Sequence, residues 1–256
     1  MIDDISDFIT RYSHYATSLQ ELELPSEDMF EAIIHNTGNG AAGTDGIPYS
    51  IYRLAPKEIS KLLRRFLVQI MLNPHLIRTP NPLLVWIPKA EAGPYSDNWR
   101  PLELPTTFLR LLAGGIYYHI AAKVPKVLET SQALLSHFRE PQSNYMDAQD
   151  FLDKGRKKEQ RISFVLVADF VKAFEMVHPG IIIKVLYARK APLWLITYAK
   201  FVLSGRKVTP KINGLVLPAL HVMLGVDMGS AMSCLFFCLA VDPLLCILSH
   251  HPLIKG

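Results

Sequence analysis

The chain has 256 residues, half of them hydrophobic, so it can bury the core of one large domain or two small subdomains. Its net charge of +4 is compatible with nucleic-acid binding but far from a histone-like tail. The three cysteines exclude a secreted disulfide framework and lack zinc-ligand spacing. The acidic N-terminus is unlike a signal or transit peptide, so we expect an intracellular protein, in either nucleus or cytoplasm.

The first elements are helical. Apolar residues at helical spacing predict a helix within residues 1–24, which Pro25 ends. Ser26 is the predicted N-cap of a short helix that continues to about Asn36. The glycine-rich loop at 37–48 lacks the Gly-Lys-Ser/Thr ending of a phosphate-binding P-loop, and its Asp-Gly pair at 45–46 predicts a tight turn with positive φ.

An amphipathic helix is predicted at 56–72, with apolar residues on one face. Four cations lie off that face, and we favour a solvated surface over a nucleic-acid contact for them. They are Lys57, Lys61, Arg64 and Arg65.

Two extended segments follow, at 83–89 and 98–102. Lys89 and Arg100 lie eleven residues apart across a hairpin-like loop, so they could converge on one triphosphate, although spacing alone also fits two surface charges. Helices are predicted at 106–122 and 144–154, followed by a basic loop at 154–161 that is either solvated or a phosphate-backbone contact.

The central stretch begins with an apolar run at 162–168 that predicts a strand buried on both faces and ends at Asp169. Because burying an unpaired carboxylate is costly, Asp169 should face water or meet a cation. A helix N-cap is an equal alternative from this stretch alone.

The remaining elements are predicted from turn signals and apolar spacing. Helices at 180–190 and 192–203 precede a hairpin at 206–217, which turns on Asn213-Gly214, and a strand at 220–224. Residues 230–249 are apolar enough to cross a membrane, but Asp242-Pro243 interrupts them, which favours a buried core helix and no membrane contact.

Several segments resemble the reverse transcriptase domain of non-LTR, LINE-like retrotransposons. They are Gly-Thr-Asp-Gly-Ile-Pro at 43–48, Ile-Pro-Lys at 87–89 with Arg-Pro-Leu at 100–102, Ala-Asp-Phe-Val-Lys-Ala-Phe-Glu at 168–175, and Gly-Val-Asp-Met-Gly-Ser-Ala-Met-Ser at 225–233, with a helix ending near 242–245. Gln132 followed by Arg139 is a weaker match. The resemblance covers about residues 37–256. It implies an α+β fold with an N-terminal helical extension (1–36), reverse-transcriptase-like fingers (37–160) and a partial palm (161–256).

The resemblance also implies roles for particular residues. Asp169 would be catalytic and bind Mg²⁺ together with the backbone carbonyl of Phe170, while Phe174 would screen the sugar. The implied nucleotide-binding residues are Lys89, Arg100, Phe174 and Gly229. The implied partners are an RNA template, a DNA primer and deoxynucleotides.

The sequence departs from the family pattern at several positions. Glu175 replaces an aspartate, Asp227 a basic residue, Met228 a glutamine, and Ala231 and Cys234 two prolines. The Ala-Asp-Asp hairpin that supplies the remaining carboxylates does not appear before Gly256, so Asp169 alone would give a weak magnesium site.

These departures indicate a reverse transcriptase fragment that is inactive alone, which leaves room for a partner supplying the missing palm. The alternatives are a non-catalytic nucleic-acid-binding remnant and an unrelated α+β enzyme that uses Asp169 differently.

Overall fold

The computed structural model describes residues 4–89, 99–121, 123, 128–129, 132, 141–157 and 168–251. This part of the chain folds into nine helices and five strands, and the strands form one small mixed sheet. The helices are α1 (Asp4–Ser13), α2 (Glu27–Asn36), α3 (Tyr49–Tyr52), α4 (Pro56–Leu72), α5 (Thr107–Ala121), α6 (Pro141–Lys157), α7 (Pro179–Ala188), α8 (Leu193–Leu203) and α9 (Met232–Ser249). The strands are β1 (Leu83–Pro88), β2 (Trp99–Leu104), β3 (Arg206–Ile212), β4 (Leu215–Val216) and β5 (Leu220–Val222).

The sheet has the order β2-β1-β3-β4, and β5 also pairs with β3. β1 and β2 are antiparallel, with Leu83 opposite Leu104 and Pro88 opposite Trp99. β1 and β3 are parallel over a short stretch that begins with Leu83 opposite Thr209. The sheet therefore joins the segment before α5 to the hairpin after α8.

Buried apolar side chains from Ile9 to Cys246 form one core cluster. α2 packs on α4 and α5, while α1 and α7 pack on α9. The ring of Phe30 lies against Gly115, where a Cβ would come within 2.3 Å of the ring. The first and last helices therefore belong to the same packed interior.

The predicted helix at 56–72 is confirmed with the same bounds. Ser26 caps α2 by accepting a hydrogen bond from the Met29 N–H at 3.3 Å, as predicted. Asn213 and Gly214 have φ values of 49° and 84°, which confirms the predicted turn between β3 and β4.

Several predicted bounds were wrong. The N-terminal helix ends at Ser13, well before Pro25. α9 continues through Pro243 to Ser249, which confirms the core helix predicted from the apolar run at 230–249, whereas the end near 242–245 implied by the resemblance was wrong. A proline removes one N–H donor, but Asp242 before it and Cys246 after it are buried, and this packing keeps the helix continuous. The predicted strand at 162–168 lies, except for Ala168, outside the described residues, as do Arg139 and residues 158–161 of the predicted basic loop. Residues 154–157 of that loop belong to α6 instead, so its predicted start was wrong.

α9 is long and apolar enough to cross a membrane by length and composition, and half of it is buried inside the protein. Core helices pass the same test. Asp242 is fully buried in this helix and is paired with the buried guanidinium of Arg189. The Tyr12 hydroxyl donates to Asp242 at 2.5 Å, and Gln132 donates to the other carboxyl oxygen at 2.9 Å. This network ties α1, α9 and the residue after α7 together.

Candidate functional site

Asp169 lies in an extended segment that leads into a turn over residues 171–176. The side chain is exposed and, within the described ranges, has no hydrogen-bond or ion-pair partner. No helix begins there, because the next helix starts at Pro179, so the N-cap alternative was wrong. The carboxylate faces water, which is one of the two environments expected for it.

The turn after Asp169 is hydrogen-bonded to the loop before α9. The Gly225 N–H donates to the Val177 carbonyl at 2.7 Å, and the Val226 N–H donates to the Phe174 carbonyl at 2.9 Å. Gly225 has a φ of 85°, and a Cβ there would lie 2.8 Å from the Glu175 carbonyl oxygen. Glycine is therefore required for this close contact. The two segments that resemble palm motifs are neighbours in space.

Aromatic rings reinforce this junction. Phe174 stacks on Phe237 of α9 with 5.0 Å between ring centroids, and Phe170 meets the same ring edge-on at 6.0 Å. Phe170 is 55% exposed, whereas Phe174 is half-buried. The ring proposed to screen a sugar is therefore held by α9, and its neighbour Phe170 presents apolar surface to solvent.

Gly229 connects the same loop to the sheet. Its N–H donates to the Asp227 side chain at 2.6 Å, and a Cβ at this position would lie 1.8 Å from the Glu103 carbonyl oxygen of β2. No side chain fits there. Two predicted residues, Phe174 and Gly229, thus lie in or beside one loop that packs against β2.

Lys89 and Arg100 lie on one hairpin. Arg100 of β2 is directly opposite Ile87 of β1, and Lys89 follows two residues after Ile87. Lys89 directly follows the end of β1 at Pro88, so both cations lie at the same end of the β1–β2 pair. Both are exposed. The convergence expected from their spacing is compatible with this register.

The opposite face of β2 carries a buried charge cluster that the sequence analysis did not single out. Glu103 forms an ion pair with Arg206 of β3 at 2.9 Å, and its other carboxyl oxygen has no hydrogen-bond partner in the part of the chain described. Burial raises the pKa of Glu103 to about 7, against the opposing effect of the Arg206 charge. The alternation of Leu102, Glu103 and Leu104 places Glu103 on the face away from the two leucines, which by itself predicts an exposed side chain, so the sequence carried no signal for its burial.

Asp227 occupies the loop position where a basic residue was expected. Burial raises the pKa of this carboxyl, and the Gly229 N–H and Arg206 lower it. Asp227 also accepts a hydrogen bond from the Ser233 hydroxyl through its backbone carbonyl. Its side chain holds the loop rather than reaching a ligand.

The glycine-rich loop is fixed to the start of α5. Asp45 accepts hydrogen bonds from the Thr107 N–H at 3.0 Å and the Tyr52 hydroxyl at 3.3 Å. A Cβ on Gly43 would lie 2.3 Å from the Pro105 carbonyl oxygen. The loop thus uses its polar groups to position α5, in agreement with the absence of a P-loop ending.

The described residues do not fit a two-ion magnesium centre. Among them, no group of three or more His, Cys, Asp or Glu side chains is arranged to hold a metal ion. Asp242 is committed to Arg189, and Asp227 to its own loop. Asp169 and the Phe170 carbonyl are the ligands that the resemblance implies, and Glu175 is the other carboxylate nearby without a protein partner among the described residues. Two carboxylates are too few to hold two ions and offset their charge.

No family model matches the chain. Over 232 residues the chain is 24% identical to the "Transposon TX1 uncharacterized 149 kDa protein" of Xenopus laevis, a match that covers 90% of this chain. This similarity supports a retrotransposon-derived origin. The match covers 18% of the Xenopus protein, so this retrotransposon-like chain spans about a fifth of that relative.

Proposed function

We propose that the chain is a fragment of a non-LTR reverse transcriptase domain, by ancestry an RNA-directed DNA polymerase with fingers and a partial palm. The observation that carries the proposal is the pairing of residues 174–177 with Gly225 and Val226 through hydrogen bonds of 2.7 and 2.9 Å. These are the two segments whose sequences resemble palm motifs. Two motifs that serve one polymerase site have to be neighbours in space, so their contact supports the proposal.

The β1–β2 hairpin supports a nucleotide site beside this junction. Gly229 packs on the backbone of β2, the strand that carries Arg100, and Lys89 lies at the same end of the hairpin as Arg100. A lysine supplies a point charge to a phosphate group and an arginine supplies a planar pair of donors. The proposed ligands are an incoming deoxynucleotide and an RNA template paired with a DNA primer.

The proposal gives the isolated chain no polymerase activity. Magnesium-dependent nucleotidyl transfer needs several carboxylates to hold two ions and offset their charge. At the junction Asp169 faces water and Glu175 is partly buried, and neither carboxylate has a protein partner among the residues described; no group of three or more ligand side chains forms there. We therefore derive no catalytic step from this chain.

A non-catalytic nucleic-acid-binding protein is the second candidate. It is favoured by Asp227, which is buried and hydrogen-bonded within the loop where the resembled family carries a basic residue. In this candidate the hairpin cations still bind phosphate groups, and no primer is extended in any context.

Primer extension on an RNA template, with magnesium and all four deoxynucleotides, tests the first proposal beside an Asp169→Asn control. A labelled primer–template is titrated in parallel with the wild type, the Lys89→Ala/Arg100→Ala variant and an Arg11→Ala/Lys154→Ala variant of equal charge. We expect no extension, and binding that the hairpin variant weakens and the distant variant does not.

Each outcome bears on one part of the proposal. Primer extension by the wild type that is lost in Asp169→Asn would show that the chain is an active polymerase, and the predicted lack of activity would be wrong. Absence of primer–template binding by the wild type would contradict both candidates.

A further inference from the structure

A strip of cations runs along α4 on the side away from the core. Lys57, Lys61 and Arg65 are four residues apart, so they lie on one side of the helix and about 6 Å apart along its axis. Arg64 lies beside them. In the part of the chain that the structure describes, none of the four side chains has an ion-pair or hydrogen-bond partner. We call these four residues the α4 strip.

The positive charges of the α4 strip destabilise α4 when no ligand is bound. Like charges at i and i+4 repel, and Lys57 lies in the first turn, where the helix dipole already places partial positive charge. The nearby acid on this helix is Glu58, which forms no ion pair with the strip. A bound polyanion would relieve this repulsion and also gain from the dipole.

A groove of about 430 Å³ lies beside the strip. Leu62 and Phe66 of α4 line it. Leu62 is three residues before Arg65 and is its neighbour on the helix surface, so the Arg65 end of the strip lies beside the groove. Phe66 meets Phe108 edge-to-face at 5.3 Å, and both rings are half-buried. Other lining residues are Tyr52, Thr79 and the exposed Arg78.

We propose that the α4 strip and this groove bind a single-stranded nucleic acid, with phosphates on the cations and one unstacked base in the groove. A cationic track combined with aromatic surface is the general chemistry of sequence-tolerant single-strand binding. A duplex keeps its bases stacked and would leave the groove empty. This inference rests on the proposed function, because both require that the protein binds nucleic acid. The α4 strip is nevertheless a separate surface from the β1–β2 hairpin.

Fluorescence polarisation with a labelled oligouridylate tests the strip. The Lys57→Ala/Lys61→Ala/Arg65→Ala variant changes exposed side chains, so folding is unaffected, and Arg11→Ala/Lys123→Ala/Lys154→Ala removes the same charge elsewhere. We expect roughly tenfold or greater weakening for the strip variant, and a salt slope reduced by about 2, because each single-strand phosphate contact contributes about 0.7. The distant variant should bind within about twofold of the wild type.

The groove is tested with Thr79→Trp, which fills it from a half-buried wall position. This variant should weaken binding while leaving the salt slope unchanged, because it removes a base contact and no phosphate contact. An abasic oligonucleotide should bind the wild type and Thr79→Trp equally.

Wild-type affinity in the strip variant would overturn the proposal. If Lys89→Ala/Arg100→Ala still weakens binding in that case, the proposed function survives and the α4 surface alone is rejected. Wild-type affinity for Thr79→Trp would reject the groove as a base site. Binding to phosphatidylserine vesicles without binding to the oligonucleotide would also overturn the proposal, since it would make the strip a lipid-binding face.

Discussion

Phe174 and Phe237 stack at 5.0 Å with an interplanar angle of 27°, although they lie in segments far apart in the chain. Phe174 follows Asp169 by five residues, and Phe237 lies in the second turn of α9. Together with the hydrogen bonds at Gly225 and Val226, this contact fixes the distance between the turn and the helix. The candidate site therefore depends on packing at this junction as much as on its polar groups.

Gly225→Ala should destabilise the fold by roughly 2–4 kcal/mol, because it combines backbone strain with a collision against a backbone oxygen. Gly214→Ala is the matched control. It has nearly the same φ, 84° against 85°, but open space around its Cβ, so about 1–2 kcal/mol is expected. Urea unfolding measures both. Equal losses would mean that the contact with Glu175 contributes nothing.

Asp242→Leu should cost about 3–5 kcal/mol, because it leaves the Arg189 guanidinium buried without a counter-charge. The double variant Arg189→Leu/Asp242→Leu should recover much of that loss, since it removes both charges. Asp150→Ala, which breaks an exposed pair with Lys154, should change stability by less than about 0.5 kcal/mol. If the double variant is no more stable than Asp242→Leu, the unpaired Arg189 charge is not the main cause of the loss.

Glu103 should make stability depend on pH. Its pKa is about 7 in the folded chain and 4.5 in the absence of burial, so the folded state holds the proton more tightly. The free energy of unfolding should therefore fall as pH rises from about 4.5 to 7, by up to about 3 kcal/mol. Glu103→Gln should remove this fall, whereas the exposed Glu21→Gln should keep it. Urea unfolding at several pH values measures the effect, and parallel curves for wild type and Glu103→Gln would contradict it.

Magnesium should bind no more tightly than about millimolar, because affinity follows the number and charge of the ligands and, among the described residues, Asp169 belongs to no group of three or more ligand side chains. Isothermal titration calorimetry of the wild type and Asp169→Ala measures this. A micromolar site that persists in Asp169→Ala would require a set of ligands that does not include the Asp169 carboxylate. Asp169→Ala should leave stability within about 0.5 kcal/mol, since the side chain is exposed.

Local signals predicted local structure well. The apolar spacing of 56–72, the Ser26 cap and the Asn213-Gly214 turn each act within a few residues, and each is confirmed. The apolar run at 230–249 predicted α9, whereas the earlier end implied by the resemblance, at the Asp242-Pro243 break, was wrong because core packing before and after a proline decides whether a helix continues.

The candidate site was predictable only in part. Phe174 and Gly229 were selected by resemblance, and the structure places them at one junction. The ion pair between Glu103 and Arg206 was not predicted, because it joins two strands more than one hundred residues apart in the chain. The spacing of residues in a single sequence does not reveal such a contact. Asp227 departs visibly from the family pattern, but its role in holding the loop emerged from its hydrogen bond to Gly229.

The Tyr12–Arg189–Asp242 network has a consequence for synthesis on the ribosome. Tyr12 is translated 230 residues before Asp242, and Arg189 is translated 53 residues before it. Until α9 has been made, packing α1 against α7 would bury the Arg189 cation without its carboxylate, which is costly. A stalled nascent chain lacking α9 should therefore be more sensitive to protease around α1 and α7 than the full chain is.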